Sequence, residues 1–222
     1  MRSFPNALGL QLYSDYLRSF QHWAENSLSS MTDAPPAIVE FTRLNWVRTQ
    51  RLHKTIVLAD DLITKIQSLQ HQYSWLVLTE AWCGDSAQNL PYIAELMKEA
   101  PAEQSLHILL RDQNRDLMNQ YLTNGSRAIP KLVVIDETTR QEVLVWGPRP
   151  QPAQEIVLEW KKDPRGRSWD QLEKELHTWY AKDKGQTMQK ELEEILDQLK
   201  AQERNVEYLN NENERLTVSN RA

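Results

Sequence analysis

The chain has 222 residues and a net charge of −5, enough length for one well-packed domain with an extension or for two small domains. Hydrophobic residues make up 40% and charged residues 26%, an ordinary soluble balance, and the acidic excess excludes the basic footprint of a nucleic-acid-binding protein. One cysteine excludes an intramolecular disulfide framework and fits a reducing compartment. The opening MRSFPNALGL lacks a signal-peptide core and no apolar run approaches the roughly 18 residues of a membrane span, so the expectation is a cytoplasmic protein with no nucleic-acid or membrane partner.

Residues 11 to 28 place Leu12, Tyr16, Phe20 and Trp23 on one helical face, and Asp33-Ala34-Pro35-Pro36 ends that helix. A second helix from Ala37 to His53 turns Ile38, Phe41, Leu44 and Trp46 or Val47 inward, so the two read as a helical pair packed on the main domain. Thr55 to Leu58 reads as a short strand, and Asp60 as the cap of a helix through Gln72 that buries Ile63, Ile66 and Leu69. Trp75 to Thr79 is a strand, Gly84 to Lys98 a helix interrupted by Pro91, and Leu106 to Leu110 a strand. Arg115 to Leu122 is a short helix stopped by Asn124-Gly125. Lys131 to Ile135 and Glu142 to Trp146 form a hairpin around Asp136 to Arg140, and residues 153–162 and 168–182 are helical. The order β-α-β-α-β-α-β-β-α predicts an α/β fold, with a mixed sheet covered by helices on both faces.

From Met188 the chain becomes polar and periodic. Leu192, Leu199, Val206 and Asn213 recur every seven residues, with Ile195, Gln202, Leu209 and Leu216 three after each. These are a and d positions of a coiled coil, and Asn213 at a selects two parallel strands. The pattern favours a homodimer through residues 188–217 with a seam including Leu192, Leu199 and Leu209. A single helix folded back on the body is the alternative; it would show a wider apolar stripe, and Leu196 alone widens this one.

Cys83 lies in Trp82-Cys83-Gly84-Asp85-Ser86, between a buried strand and an amphipathic helix. At such a turn the helix dipole favours the thiolate by about 0.3–1 kcal/mol, and Asp85 opposes it by about 0.6–2 kcal/mol. The two nearly cancel, which predicts a thiol only mildly reactive at neutral pH unless Arg127 or Arg149 comes near. The Ser86 hydroxyl can donate a hydrogen bond to the thiolate. Serine stands where a C-x-x-C motif has its second cysteine, so a mixed disulfide at Cys83 cannot be closed internally. Low-molecular-weight thiol exchange, disulfide isomerisation, target capture, or a plain buried filler remain. His22, His53, His71, His107 and His177 show no metal spacing, and neither GxGxxG nor a phosphate loop occurs, so no metal and no cofactor is expected.

Over residues 54–165 the chain resembles a thioredoxin-fold protein. Trp82-Cys83-Gly84 match the family's WCG, and Pro91 lies eight residues after the cysteine, where thioredoxins kink the active-site helix. Asp112-Gln113-Asn114 follow the third strand, and Arg127-Ala128-Ile129-Pro130 match the cis-proline segment. Gly147 falls seventeen residues beyond that proline, close to the family's glycine after the last strand. The strings TEAWCGDSAQ, NGSRAIPKLVVID and WGPRPQPAQE resemble bacterial thioredoxin-like proteins with an N-terminal helical extension.

The resemblance implies Cys83 as nucleophile with Ser86 assisting. It implies substrate binding by Trp82, Gly84, Asp85, Ile129, Pro130 and Gly147, with a cis Ile129–Pro130 bond exposing the Ile129 backbone to an extended peptide. The partner would be a protein or a low-molecular-weight thiol. Val77 and Ile108 replace the family's buried aspartate and lysine; the two go together, because one unpaired buried charge costs several kcal/mol. Glutaredoxin-like iron–sulfur binding is disfavoured, since Asp85 would add charge beside an anionic cluster. A non-catalytic binding module that oligomerises through its C-terminal helix is the competing reading. Trp82 and Trp146 either flank a groove or fill the core, and Arg149, between two prolines, reads as a solvated loop residue. The expected organisation is an N-terminal helical extension (1–53), a thioredoxin-like domain (54–165), a helical extension (166–187) and a coiled-coil-like tail (188–222).

Overall fold

The computed structural model describes residues 7–219, with side chains described through residue 206. In chain order, strand β1 (Gln11–Leu12) runs into helix α1 (Tyr13–Glu25), followed by α2 (Pro36–Thr55), α3 (Asp60–Gln67), β2 (Tyr73–Thr79), α4 (Gly84–Glu99) and β3 (Ser105–Leu110). A 3-10 turn at Arg111–Gln113 precedes α5 (Arg115–Met118); then come β4 (Lys131–Asp136), β5 (Gln141–Trp146), α6 (Gln151–Lys162), α7 (Trp169–Asp183) and α8 (Gln186–Ser219). The sheet order is β1-β3-β2-β4-β5, with β2 and β3 parallel and the other pairings antiparallel. This is a thioredoxin-like mixed α/β fold.

Strand β2 is central, and all its residues but Ser74 are buried, as a strand covered on both faces requires. One sheet face carries Trp75, Val77, Ile108, Leu132 and Val134 into the main core, which also takes Phe20, Leu52, Ile66, Ile93 and Leu192 from the helices. The opposite face carries Leu76, Leu78, Leu109 and Val133 against Met118, Tyr121, Ile129 and Cys83. Val77 and Ile108 are register partners on β2 and β3 and fully buried, so an apolar contact fills the place of the charged pair. A satellite cluster of Ala153, Val157, Leu172, Leu176 and Tyr180 joins α6 to α7.

Four sequence expectations are corrected. No strand forms at Thr55 to Leu58: α2 runs through Thr55, and the Gln189 side chain of α8 holds the next segment, accepting from Ala59 N at 2.8 Å and donating to Val57 O at 3.3 Å. The edge strand beside β3 is β1, from a stretch expected to be helical. Second, α3 ends at Gln67 and its N-cap is Ala59 without a side-chain cap. The backbone N–H groups of Gln70 and His71 instead donate to Glu203 Oε1 of α8 at 2.9 and 2.8 Å.

Third, α2 docks through polar residues. Thr42, Asn45 and Thr49 are buried while Leu44 and Val47 are exposed; Asn45 Nδ2 donates to Ala81 O at 3.3 Å, which ties the helix to the turn before Cys83. Fourth, the first half of α8 packs on the body. Met188, Leu192, Ile195, Leu196 and Leu199 are buried in the core, so Leu192 and Leu199 do not supply an intermolecular seam; Leu209, Asn213 and Leu216 lie outside the described side chains. Among the described residues, no helix is long and apolar enough to cross a membrane.

Candidate functional site

Cys83 ends the turn after β2 and is the N-cap of α4; its sulfur accepts a hydrogen bond from Ser86 N at 3.5 Å. This satisfies one of the free N–H groups of the first helical turn. The thiol donates to Ile129 O at 3.3 Å, and the Ile129–Pro130 peptide is cis. Ile129 is buried, and its carbonyl accepts the hydrogen bond from the thiol.

The thiol is buried, and burial pushes its pKa up to about 11, with the Asp85 carboxylate adding to the rise and Ser86 and Arg149 opposing it. The balance of dipole and Asp85 read from the sequence left out this burial, which is the larger effect. Cys83 is therefore a protonated thiol at neutral pH. The Ser86 side chain is buried, and its hydroxyl together with its N–H is what Ser86 sets against the rise.

Asp85 does not stand alone. The Arg149 guanidinium pairs with it, Nε lying 3.0 Å from Oδ2 and Nη2 bonding the same oxygen. The Tyr180 hydroxyl of α7 donates to the other Asp85 oxygen at 2.8 Å and accepts from Asn89 Nδ2 at 3.0 Å. The side chains of Asp85 and Arg149 are each only 13% exposed, which corrects the expectation of a solvated Arg149. Burial works against the arginine's charge, but Asp85 outweighs it and raises its pKa. In sequence, the flanking prolines were the only sign that Arg149 sits on a fixed backbone.

Gly147 packs against Pro130. Its φ is +107°, and a β-carbon there would lie 2.3 Å from Pro130 O, so only glycine fits. Lys131 Nζ donates to Gly147 O and Thr123 Oγ1, both at 2.7 Å, and burial, with Arg149 nearby, brings its pKa down to about 8. Gly147 and Pro130 pack on each other, and neither is among the residues that line the cysteine's cavity.

Trp82, Cys83, Gly84, Asp85 and Ile129 line one cavity of 320 Å³. Its far walls come from Ile38, Phe41 and Arg48 of α2, and Trp169, Leu172, Glu173, Leu176 and His177 of α7. His177 lies over Gly84, where a β-carbon would come 3.0 Å from its Cε1. Burial and the Arg48 charge bring the His177 pKa down to about 4, so the ring is neutral at pH 7. The Arg111 guanidinium stacks 4.8 Å from the Trp82 ring centroid. Trp146 lies elsewhere, with Nε1 donating to Glu191 Oε2 at 2.6 Å.

Glu80 closes the top of β2. It accepts from Asp112 N at 2.8 Å and from the Ser30 hydroxyl, which ties the loop before α2 to the strand ends. Burial raises its pKa. Among the described residues, no group of histidine, cysteine, aspartate and glutamate could hold a metal ion.

The sheet order and the N-cap cysteine facing the Ile129 carbonyl define a thioredoxin-fold protein. A family model described as thioredoxin matches residues 31–163, more than half of the chain, and the chain belongs to that family. The match begins before α2, so it includes that helix. Among solved structures, a Pseudomonas aeruginosa protein of unknown function is 20% identical with a TM-score of 0.50, over 86% of this chain and 98% of that one. An HIV epitope-scaffold protein is 20% identical with a TM-score of 0.48, over 86% and 99%. The likeness to the Pseudomonas protein shows the fold alone. No curated protein matches the chain.

Proposed function

We propose that the chain is a monothiol member of the thioredoxin family that engages thiols and disulfides through Cys83. The observation that carries the reading is the cysteine at the N-cap of α4, its sulfur held by Ser86 N–H, among the residues that line a cavity. In the exchange step Cys83 Sγ attacks one sulfur of a disulfide. The Cys83 S–S bond forms, the substrate S–S bond breaks, and the departing thiolate takes up the proton that Cys83 releases. The Ser86 N–H and hydroxyl stabilise the attacking thiolate, and the Asp85–Arg149 pair limits the repulsion from Asp85. With serine at position 86 the mixed disulfide persists until an external thiol releases it.

A second reading, a binding module without covalent chemistry, is favoured by the thiol's bond to Ile129 O and its pKa of about 11. Intact-mass analysis after incubation with a small disulfide separates the two. The exchange reading expects one adduct per chain, located at Cys83, absent from Cys83→Ser and released by added thiol. A Ser86→Cys variant is expected to expel the adduct by forming an internal disulfide. An unmodified Cys83 under native conditions, with ready modification of the denatured chain, would establish the binding module.

A further inference from the structure

The arginines around Cys83 are out of keeping with a chain of net charge −5. Arg48, Arg111, Arg127 and Arg149 all line the cysteine's cavity, against two carboxylates, Asp85 and Glu173. Asp85 is already paired with Arg149. A second, more open groove of 690 Å³ adjoins the cavity, with Arg111, Arg127 and Ala128 forming part of both, and it adds Arg115. Its carboxylate, Asp112, is paired with Arg111. Among the described residues, Arg48, Arg115 and Arg127 make no salt bridge: Arg127 Nε donates to Asn119 Oδ1 at 2.7 Å and Arg48 Nη1 to Asn45 Oδ1 at 2.9 Å, both neutral partners, while Glu173 acts on Arg48 at longer range. The low-dielectric walls of a cleft strengthen the field of such a cluster.

Size and access point to a small ligand. The cavity falls within the range of small-molecule sites, and His177 covers the helix start at Gly84.

We propose that the disulfide exchanged at Cys83 is a low-molecular-weight anion, its reacting sulfur in the cysteine cavity and its carboxylate or phosphate groups along Arg111, Arg115 and Arg127. This rests on the exchange reading of Cys83. Two of these arginines, Arg115 and Arg127, are exposed, so they can meet the anion without a change in the core. The step is the one written above, with the disulfide itself as oxidant: Cys83 becomes a mixed disulfide, and half of the substrate leaves as the thiol.

The test measures adduct formation on the full chain with four disulfides: glutathione disulfide (carboxylates), coenzyme A disulfide (phosphates), hydroxyethyl disulfide (neutral) and cystamine (cationic). Each rate is divided by the rate of a neutral cysteine peptide with the same disulfide. The expected result is at least a tenfold advantage for one or both anionic disulfides. That advantage should shrink with added salt and in Arg127→Gln and Arg115→Gln. Preference between the two anions assigns phosphate or carboxylate. Equal normalised rates for all four would overturn the anionic assignment and leave the exchange reading standing. No adduct with any of them would overturn both. The salt dependence of the unaltered protein decides the matter even if an arginine variant fails to fold.

Discussion

His177 of α7 lies across Gly84 at the start of α4, so that a β-carbon at position 84 would meet its Cε1 at 3.0 Å and its Nε2 at 3.2 Å. The segment after the last strand thereby covers the turn that carries the cysteine. Gly84→Ala should push the His177 ring aside, costing up to about 1–3 kcal/mol by overpacking and speeding alkylation of Cys83 by a small thiol reagent. The double variant Gly84→Ala/His177→Ala should recover most of the stability. Denaturant unfolding of the four proteins in a double-mutant cycle reads the coupling; additive effects would mean that the two residues do not press on each other.

The reactivity of Cys83 should follow its buried thiol. With a pKa pushed up to about 11, the alkylation rate should climb about tenfold per pH unit from about pH 8 to pH 10, because only the thiolate reacts. Asp85 is the second cause of the rise, after burial. Asp85→Asn should move the inflection down and raise the rate at pH 8. A wild-type profile that levels off by pH 8 would contradict the burial argument.

Acid should loosen α7. His177 titrates near 6.5 when unfolded and at about 4 in the fold, where burial comes first, Arg48 adds to the lowering, and Asp85 opposes it. The unfolded chain therefore binds the extra proton first as pH falls. The contribution of neutral His177 to stability is fully present above about pH 6.5 and is lost as pH drops toward 4. His177→Phe, which keeps a ring over Gly84 without the titration, should flatten the pH dependence of stability in that window. An unchanged slope would count against a buried neutral histidine.

The start of α8 should be indispensable. Leu192 and Leu199 are fully buried, so Leu192→Ala or Leu199→Ala should cost about 2–5 kcal/mol. Removal of residues 186–222 should leave a chain without a cooperative thermal transition, while removal of residues 207–222 should leave the transition in place. Circular dichroism melting checks both; a stable protein lacking residues 186–222 would show that the helix is a separate appendage.

Local pattern was enough for the strands β2 to β5, for α4 with Pro91, and for the order that makes the sheet mixed, because these elements bury continuous or alternating apolar runs. It was also enough to bring out Cys83 with serine in the place of a second thiol, whereas the paired loss of charge at Val77 and Ile108 followed from the resemblance to thioredoxins. Where the signal came from partners distant in sequence, pattern failed. The two-residue β1 exists only through its pairing with β3. The α2 face departs from the apolar pattern because Thr42, Asn45 and Thr49 are buried beside Leu52, with Thr42 and Asn45 held by hydrogen bonds. The heptads of α8 are compatible with two chains or one, and only the tertiary structure places Leu192 and Leu199 against the body. The same holds for Cys83: sequence supplies the dipole and Asp85, but the burial that keeps the thiol protonated depends on the surrounding fold, and Arg149 and Tyr180 reach Asp85 from 64 and 95 residues away. A charge's environment is a sum over neighbours in space, and the chain alone does not order them.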